Sequence, residues 1–482
     1  MGESAGGGAR DRLRLTPGAR RWIVCVALLL AATLGQTRPY VGDEAFYQVS
    51  AIRMIATGDL LVPVFDGAPR FQKPILPYWF TAIGHALCGV HLWSGRLAFV
   101  LLACVLLWVT GRLAALLLGG DSATVAVMVL ASLTPFVEHA RVAVTDLPLT
   151  CFSMLALFAL CRSFAVPGRA RWWTCVAFVA AGLACASKGP MGVLPVVAFT
   201  LWLWRAKPEG YREALRRCAH PGCWALLITV GFSWYAWVAW WYRDELLRQF
   251  AIERAANVSA GLMHVPGHLA FYAGALIVYA LPWLILCMIF GRRHAATDGI
   301  GPRTLPTALA PVGWYLGLAM LTLVVVLRQR DARYLLVAMP GLALYVAALV
   351  QQRGWARWVR PAAATVFVLH VAFFIGYRLV CGEPLAELVR LWERQPTGAL
   401  AEFQLPPRET GWLLALSNGR LESRPASASY VILDERSREA FGDAVRRPMH
   451  VIGSARVLRE VEWRGSTPLA VYRTYLLVSA ER

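Results

Sequence analysis

Residues 70–90 read RFQKPILPYWFTAIGHALCGV, and whether this apolar stretch crosses a membrane decides how everything after it is arranged. It is short and holds Pro77, Gly84, His85 and Gly89. The segments around it are less ambiguous. A basic start (Arg10, Arg12, Arg14, Arg20, Arg21) precedes an apolar run from Trp22 to Thr37. No small-residue cleavage site follows that run, so it reads as an uncleaved first span. Further apolar runs cover roughly 96–118, 122–138, 147–165, 172–187, 190–204, 223–242, 269–290, 306–327, 333–350 and 360–380. Each is near the ~20 residues that cross a ~30 Å hydrocarbon core.

Composition agrees. Of 482 residues, 58% are apolar and 16% charged, with 20 Trp, whereas soluble domains are about half apolar and a quarter charged. The expected fold class is an all-α polytopic membrane bundle of about 11–13 helices. The net charge of +19 sits largely in short loops between apolar runs, the pattern of topology signals and anionic-lipid contacts. It lacks the basic-aromatic modules of nucleic-acid binders, so membrane lipids are expected as partners and nucleic acid is not. The 11 Cys are scattered, among them Cys25, Cys104, Cys151 and Cys287, with no CxxC pair. That excludes a disulfide framework or a zinc ribbon as the organising principle.

If 75–90 lies in the interface, the basic loops at 162–171, 205–217, 292–303 and 353–360 join the basic N-terminus in the cytoplasm, as the positive-inside rule requires. If it spans, all of them flip outward. The first arrangement is the expectation. It places the loops around Asp43, Lys73, Asp146, Lys188, His264 and Arg333 together on the opposite face, where charges at the membrane edge are costly and usually functional.

Three parts follow: a basic cytoplasmic terminus (1–21), a transmembrane domain (22–381) whose first outer loop is 38–95, and an outer α/β domain (382–482). In the last, Tyr430 to Leu433 reads as a strand and Asp434 to Val445 as a helix capped by Asp434. Strand-like runs follow at His450–Ile452, Val457–Val461 and Leu469–Leu477.

The outer loops carry the chemistry. Gly42 to Tyr47 reads GDEAFY, and its paired acids can bind a metal, orient a sugar or take a proton from a hydroxyl. They can equally start a helix, Asp43 as N-cap and Glu44 in the first turn. Lys73, at the edge of an aromatic segment, can snorkel to lipid headgroups or hold a phosphate. In HARVAVTD, residues 139–146, an acid enters a span, which solvation alone explains poorly.

These motifs, with SKGP at 187–190, RYLL at 333–336 and Pro340, resemble in order and approximate spacing the GT-C-fold membrane glycosyltransferases. The nearest likeness is to the lipid A aminoarabinose transferases and the related protein O-mannosyltransferase-like enzymes, over roughly 20–350. The resemblance implies a polyprenyl-phosphate-linked sugar as donor, a lipid, glycan or protein as acceptor, and inversion at the anomeric carbon. It implies an active site on the periplasmic side of a bacterial inner membrane. It makes Asp43, Asp146 and Glu44 the catalytic acids, and gives Lys73, Arg333, Tyr334, Lys188, Arg141 and Tyr47 to the donor and its phosphate. In some relatives an acid beside the Lys-Pro pair and a loop His hold a divalent metal. Here the corresponding residues are Gln72 and His264, and neutral Gln72 suits a hard cation poorly; no other cofactor is expected. Phe46 replaces an Arg seen in some relatives.

Two other classes compete. A transporter or lipid flippase would show matched halves with broken helices near the midplane, and no such halves are evident. A degenerate, non-catalytic relative would keep the shape only; Gln72 and Phe46 favour it, while retention of Asp43, Lys73, Asp146 and Arg333 opposes it.

Overall fold

The computed structural model describes residues 15–34, 43–65, 67–258, 261–295, 307–354, 356–381, 384–395, 398–405, 413, 417, 420–422, 428–445, 449–464 and 467–480. The basic residues Arg10, Arg12 and Arg14, Gly42 and the 296–303 part of one basic loop lie outside them.

Among the described residues seven helices are long and apolar enough to cross a membrane: Leu92–Leu118, Asp146–Ala165, Pro167–Lys188, Pro221–Trp241, Val265–Ile285, Thr307–Val326 and Ala332–Gln352. In lipid each backbone polar group must be satisfied internally, so apolar runs of this length settle as helices. Two apolar runs are shorter, Ser122–Ser132 and Pro190–Ala206. The first ends where Leu133 turns extended and Pro135 opens a new short helix, Thr134–His139. The helix Leu76–Cys88 has 13 residues, about 20 Å at ~1.5 Å per residue, which is short of the hydrocarbon core. The chain is a multi-pass membrane protein with a small sheet-bearing C-terminal part.

Two compact units divide the chain. The first comprises residues 1–33, 70–77 and 97–373. At its centre is Asp146–Ala165, 78% of whose apolar window is buried, whereas Val265–Ile285 buries 22% and presents Val278 and Leu281 outward. Ala170–Lys188 packs against both Asp146–Ala165 and Pro221–Trp241. It meets the latter through small residues: a Cβ added at Gly231 would stand 2.9 Å from Cys185 Cβ and 3.1 Å from Gly182 O. Such stripes let helices approach closely in lipid, where packing replaces the hydrophobic effect. Trp240 and Trp241 end that helix exposed, as expected of an interfacial aromatic belt.

The second unit comprises residues 34–69, 78–96 and 374–482. Among the described residues its sheet has five strands in the order β4-β3-β5-β7-β6, built from β3 Leu400–Phe403, β4 Leu421–Glu422, β5 Tyr430–Asp434, β6 Met449–Arg464 and β7 Thr467–Ala480. A separate hairpin pairs β1 Val64–Phe65 with β2 Ala68–Pro69. Strand β3 is parallel to β4 and β5; β7 runs antiparallel to β5 and β6. The three strand-like runs expected at the C-terminal end are stretches of two long strands, β6 bulging between Val451 and Gly453 and between Leu458 and Glu460.

The helix expected from Asp434 begins as a 3-10 turn, whose Arg436 N–H donates to the Asp434 carboxylate at 3.1 Å, and continues as Arg438–Val445. Strand β5 is buried on both faces. Ile432 joins Leu388, Leu400, Leu477 and Trp392 in one core, and Val431 and Leu433 join Phe441, Leu476 and Val478 in the other. That is the period-2 alternation of a covered strand. Leu92, the first residue of Leu92–Leu118, belongs to the former core.

Candidate functional site

The site grows from the ends of helices. In the first unit, Asp146 opens Asp146–Ala165 and Lys188 closes Ala170–Lys188. Gly189 then adopts φ 84° and ψ −154°, a region that residues with a Cβ avoid, and the chain reverses into the turn Pro190–Val193. This reversal leaves the Lys188 ammonium on the Asp146 carboxylate, an ion pair whose side chains are 15% and 5% exposed.

Tyr334 arrives from another break. Helix Ala310–Leu321 loosens into a π turn, Thr322–Val326, a wide turn frequent at functional sites. Leu327 is extended and bridges Val258, and Arg328 N–H donates to Asn257 O at 2.8 Å. Asp331 then accepts from Arg333 N–H at 3.0 Å and starts the 3-10 turn Ala332–Ala338. The Tyr334 ring lies under two cations, 4.2 Å from Lys188 Nζ and 5.4 Å from Arg333 Cζ. Arg333 is itself paired with Asp331 at 2.8 Å.

Lys73 comes from the segment before Leu76–Cys88 and forms an ion pair with Glu253, on the helix Arg243–Asn257. Lys73, Glu253, Asp146, Lys188 and Tyr334 all line one cavity of about 420 Å³, whose walls are otherwise largely apolar, with Leu149, Leu194, Leu323 and Val337 among them. Two cations and two carboxylates thus meet in a low-dielectric recess. Preorganised charges in such a place act far more strongly than in water. The structure brings Lys73, Asp146, Lys188 and Tyr334 together. Arg333 stands behind Tyr334, and Arg141 is buried but is not among the residues lining the cavity.

The first acids sit in the second unit. Asp43 precedes the helix Glu44–Thr57 with helical dihedrals and makes no side-chain capping bond, so the capping role expected of it is not the one it plays. Glu44, expected among the catalytic acids and as a first-turn residue, is fully buried. Arg96 donates to its two oxygens at 2.6 and 2.8 Å, and a third Arg96 nitrogen donates to Leu34 O at 2.8 Å. This geometry ties the start of the helix Glu44–Thr57 in place. The Tyr47 ring packs 4.8 Å from that of Tyr78 and is buried. His85, on the short helix, is buried against Ser94 Oγ at 3.0 Å, and burial lowers its imidazole to about 4.

The residues suggested for a metal do not fit one. Gln72 Oε1 accepts from the Arg70 guanidinium at 2.8 Å, so the oxygen an ion would need already faces a cation. His264 packs edge-on to His268 at 4.5 Å and lines an open cavity with Arg254 and Arg328. Among the described residues no three His, Cys, Asp or Glu side chains gather to hold an ion.

Sequence reasoning missed Glu253 and Arg96. Glu253 lies on a polar helix that reads as a solvated face. Arg96, a lone cation entering an apolar run, carried a signal that went unused.

Comparison with known proteins places this site in context. Residues 72–241 match the family model described as dolichyl-phosphate-mannose-protein mannosyltransferase. An uncharacterised Aquifex aeolicus protein is 30% identical over 267 residues, 55% of this chain and 52% of its own. The undecaprenyl phosphate-alpha-4-amino-4-deoxy-L-arabinose arabinosyl transferase 2 of Pseudomonas fluorescens is 26% identical over 294 residues, 55% of this chain and 47% of its own. The chain thus spans about half the length of the curated relatives it matches. The crystal structure of ArnT from Cupriavidus metallidurans bound to undecaprenyl phosphate superposes with a TM-score of 0.69 at 17% identity, covering 94% of this chain and 97% of that one. An Archaeoglobus fulgidus oligosaccharyltransferase gives 0.51 at 12% identity, covering 87% and 70%. The resemblance read in the motifs holds: this is a GT-C-fold membrane protein similar to the polyprenyl-phosphate-sugar-dependent glycosyltransferases of the lipid A aminoarabinose transferase and protein O-mannosyltransferase group.

Proposed function

We propose that the protein is a glycosyltransferase that moves a sugar from a polyprenyl-phosphate carrier to a hydroxyl of a lipid, glycan or protein acceptor. The reaction takes place on the periplasmic face of a bacterial inner membrane. The observation that carries this reading is the convergence of Lys73, Lys188, Asp146 and Tyr334 in one largely apolar cavity. Support comes from relatives whose names specify undecaprenyl-phosphate-linked sugar transfer and from the fold shared with ArnT from Cupriavidus metallidurans, crystallised with undecaprenyl phosphate.

In this mechanism the acceptor oxygen attacks the anomeric carbon from the face opposite the phosphate. The carbon–oxygen bond to phosphate breaks, and its electron pair leaves with the polyprenyl phosphate, so configuration inverts. Lys73, with Lys188 and Arg333 nearby, stabilises the charge that grows on the phosphate. Asp146, or Asp43 by resemblance, takes the acceptor's proton. Positive-inside placement of the basic loops supports the outer location.

The test is a transfer assay with purified protein in lipid nanodiscs, supplied with membrane extract as source of donor and acceptor and read by mass spectrometry. A sugar-sized mass gain with wild type, lost in Asp146→Asn and Lys73→Ala, is the expected result. Lipid-linked sugar that stays intact with every variant and with wild type would overturn the reading.

A further inference from the structure

Three residues on one face of the helix Arg243–Asn257 follow each other at intervals of four: Glu245, Gln249 and Glu253. Side chains so spaced stack along a helix. Gln249 Nε2 donates to Glu245, while Gln249 Oε1 accepts from the Phe71 backbone N–H at 2.7 Å. Hydrogen bonds from Arg248 and Gln249 hold the Glu245 carboxyl below the usual carboxylate range. One turn further on, Glu253 takes the Lys73 ammonium.

The segment that carries Lys73 is therefore fastened to this helix at two alternate residues, by its backbone at Phe71 and by its side chain at Lys73. Phe71 is fully buried, its ring 6.1 Å from Trp234 and 5.2 Å from Tyr242. The two fastenings differ in kind. Gln249 is 5% exposed and holds backbone. The Lys73 and Glu253 side chains are 26% and 27% exposed, and both face the cavity. An ammonium has three donors, and a partly exposed pair exchanges partners far more readily than one shut away from solvent.

We infer that Glu253 is a positioning residue that holds the Lys73 ammonium at the cavity and yields it to the phosphate of a polyprenyl-phosphate ligand, with Gln249 fixing the backbone beneath. This rests on the transferase reading above and extends it to a residue that nothing in the motifs assigns. The carboxylate keeps Lys73 extended into the cavity when no anion is bound. It also competes with the incoming phosphate for that cation. A competitor that occupies the binding-competent group lowers apparent affinity by the fraction it occupies.

The experiment measures binding of undecaprenyl monophosphate to purified full-length protein in nanodiscs, for wild type, Lys73→Ala, Glu253→Gln, Glu253→Asp and Lys73→Ala/Glu253→Gln, with thermal melts to verify folding. Glu253→Gln keeps the shape and removes the competing charge, so Kd is expected to fall roughly tenfold, with Glu253→Asp between it and wild type. In the Lys73→Ala background the same change is expected to have no effect. In turnover, Glu253→Gln lowers the donor KM while kcat drops with slower release of the phosphate product.

An unchanged or raised Kd in Glu253→Gln, or an effect of equal size without Lys73, would overturn the inference while leaving Lys73-dependent binding intact. If Glu253→Gln does not fold, Glu253→Asp decides by the same criteria. Wild type that binds no polyprenyl phosphate, or binds it independently of Lys73, would overturn both this inference and the transferase reading.

Discussion

Lys188 ends one membrane helix, Asp146 begins another, and the ammonium of the first rests on the carboxylate of the second. Each charge stands at the helix end whose dipole favours it, and the two meet at the wall of the cavity. Neither residue alone would tolerate so dry a setting.

Asp146→Asn is therefore expected to reduce transfer by about 100-fold or more and also to lower stability, since it strands Lys188. Breaking a buried pair from one side costs about 3–5 kcal/mol. A combined Asp146→Asn/Lys188→Met variant is expected to melt above Asp146→Asn while staying inactive. Thermal melts in detergent and the transfer assay separate the two effects. A double variant that melts no higher would argue against the pair as a unit.

The Arg96–Glu44 pair is fully buried, at 0% exposure on both sides. Arg96→Met leaves a carboxylate without its cation, and the expected loss is again about 3–5 kcal/mol. Glu44→Gln/Arg96→Met should recover most of it, and activity in the folded double variant should persist. Loss of transfer in that stable double variant would place Glu44 among the catalytic acids.

Gly189 offers a test of placement without touching a charged group. Its dihedrals carry a penalty of about 1–3 kcal/mol for a residue with a Cβ, although open space surrounds it. Gly189→Ala is expected to relax the reversal after Lys188 and to lower kcat several-fold while the protein still inserts. Wild-type kinetics in Gly189→Ala would mean that the turn does not set the position of Lys188.

His85 gives a pH signature. Burial lowers its folded pKa to about 4 from the ordinary histidine value of 6.5. Between these values the unfolded chain binds the proton and the folded chain does not, so stability rises with pH. The contribution is complete above 6.5 and is lost as pH falls toward 4, by about 3 kcal/mol. Melting temperature measured from pH 7 to pH 4 should fall more steeply in wild type than in His85→Gln. Parallel curves would dismiss the effect.

What was legible in the sequence follows from range. Apolar runs reveal membrane helices because the bilayer imposes one length and one solvent on each. Asp146, Lys188 and Tyr334 were visible because a charge or a paired aromatic at the end of an apolar run is expensive enough to need a reason. Glu253 was not: its partner Lys73 stands 180 positions earlier, and a polar helix supplies many equivalent carboxylates. The wide turn at Thr322–Val326 left no mark either, because its residues, TLVVV, continue an apolar run that reads as unbroken helix. In the C-terminal sheet, β6 reads as separate fragments because its two bulges interrupt the alternation of faces.

Leu92 bears on biosynthesis. Its core partners include Leu388, Ile432 and Leu477, all encoded far downstream. At a synthesis rate of about 5–20 residues per second, the first turn of this helix waits roughly 20–80 s for strand β7, which helps bury it. During that interval the nascent chain holds an uncovered leucine at the head of an inserted helix. Synthesis of that strand, not insertion of the helix, then marks the moment at which this part of the protein can finish folding.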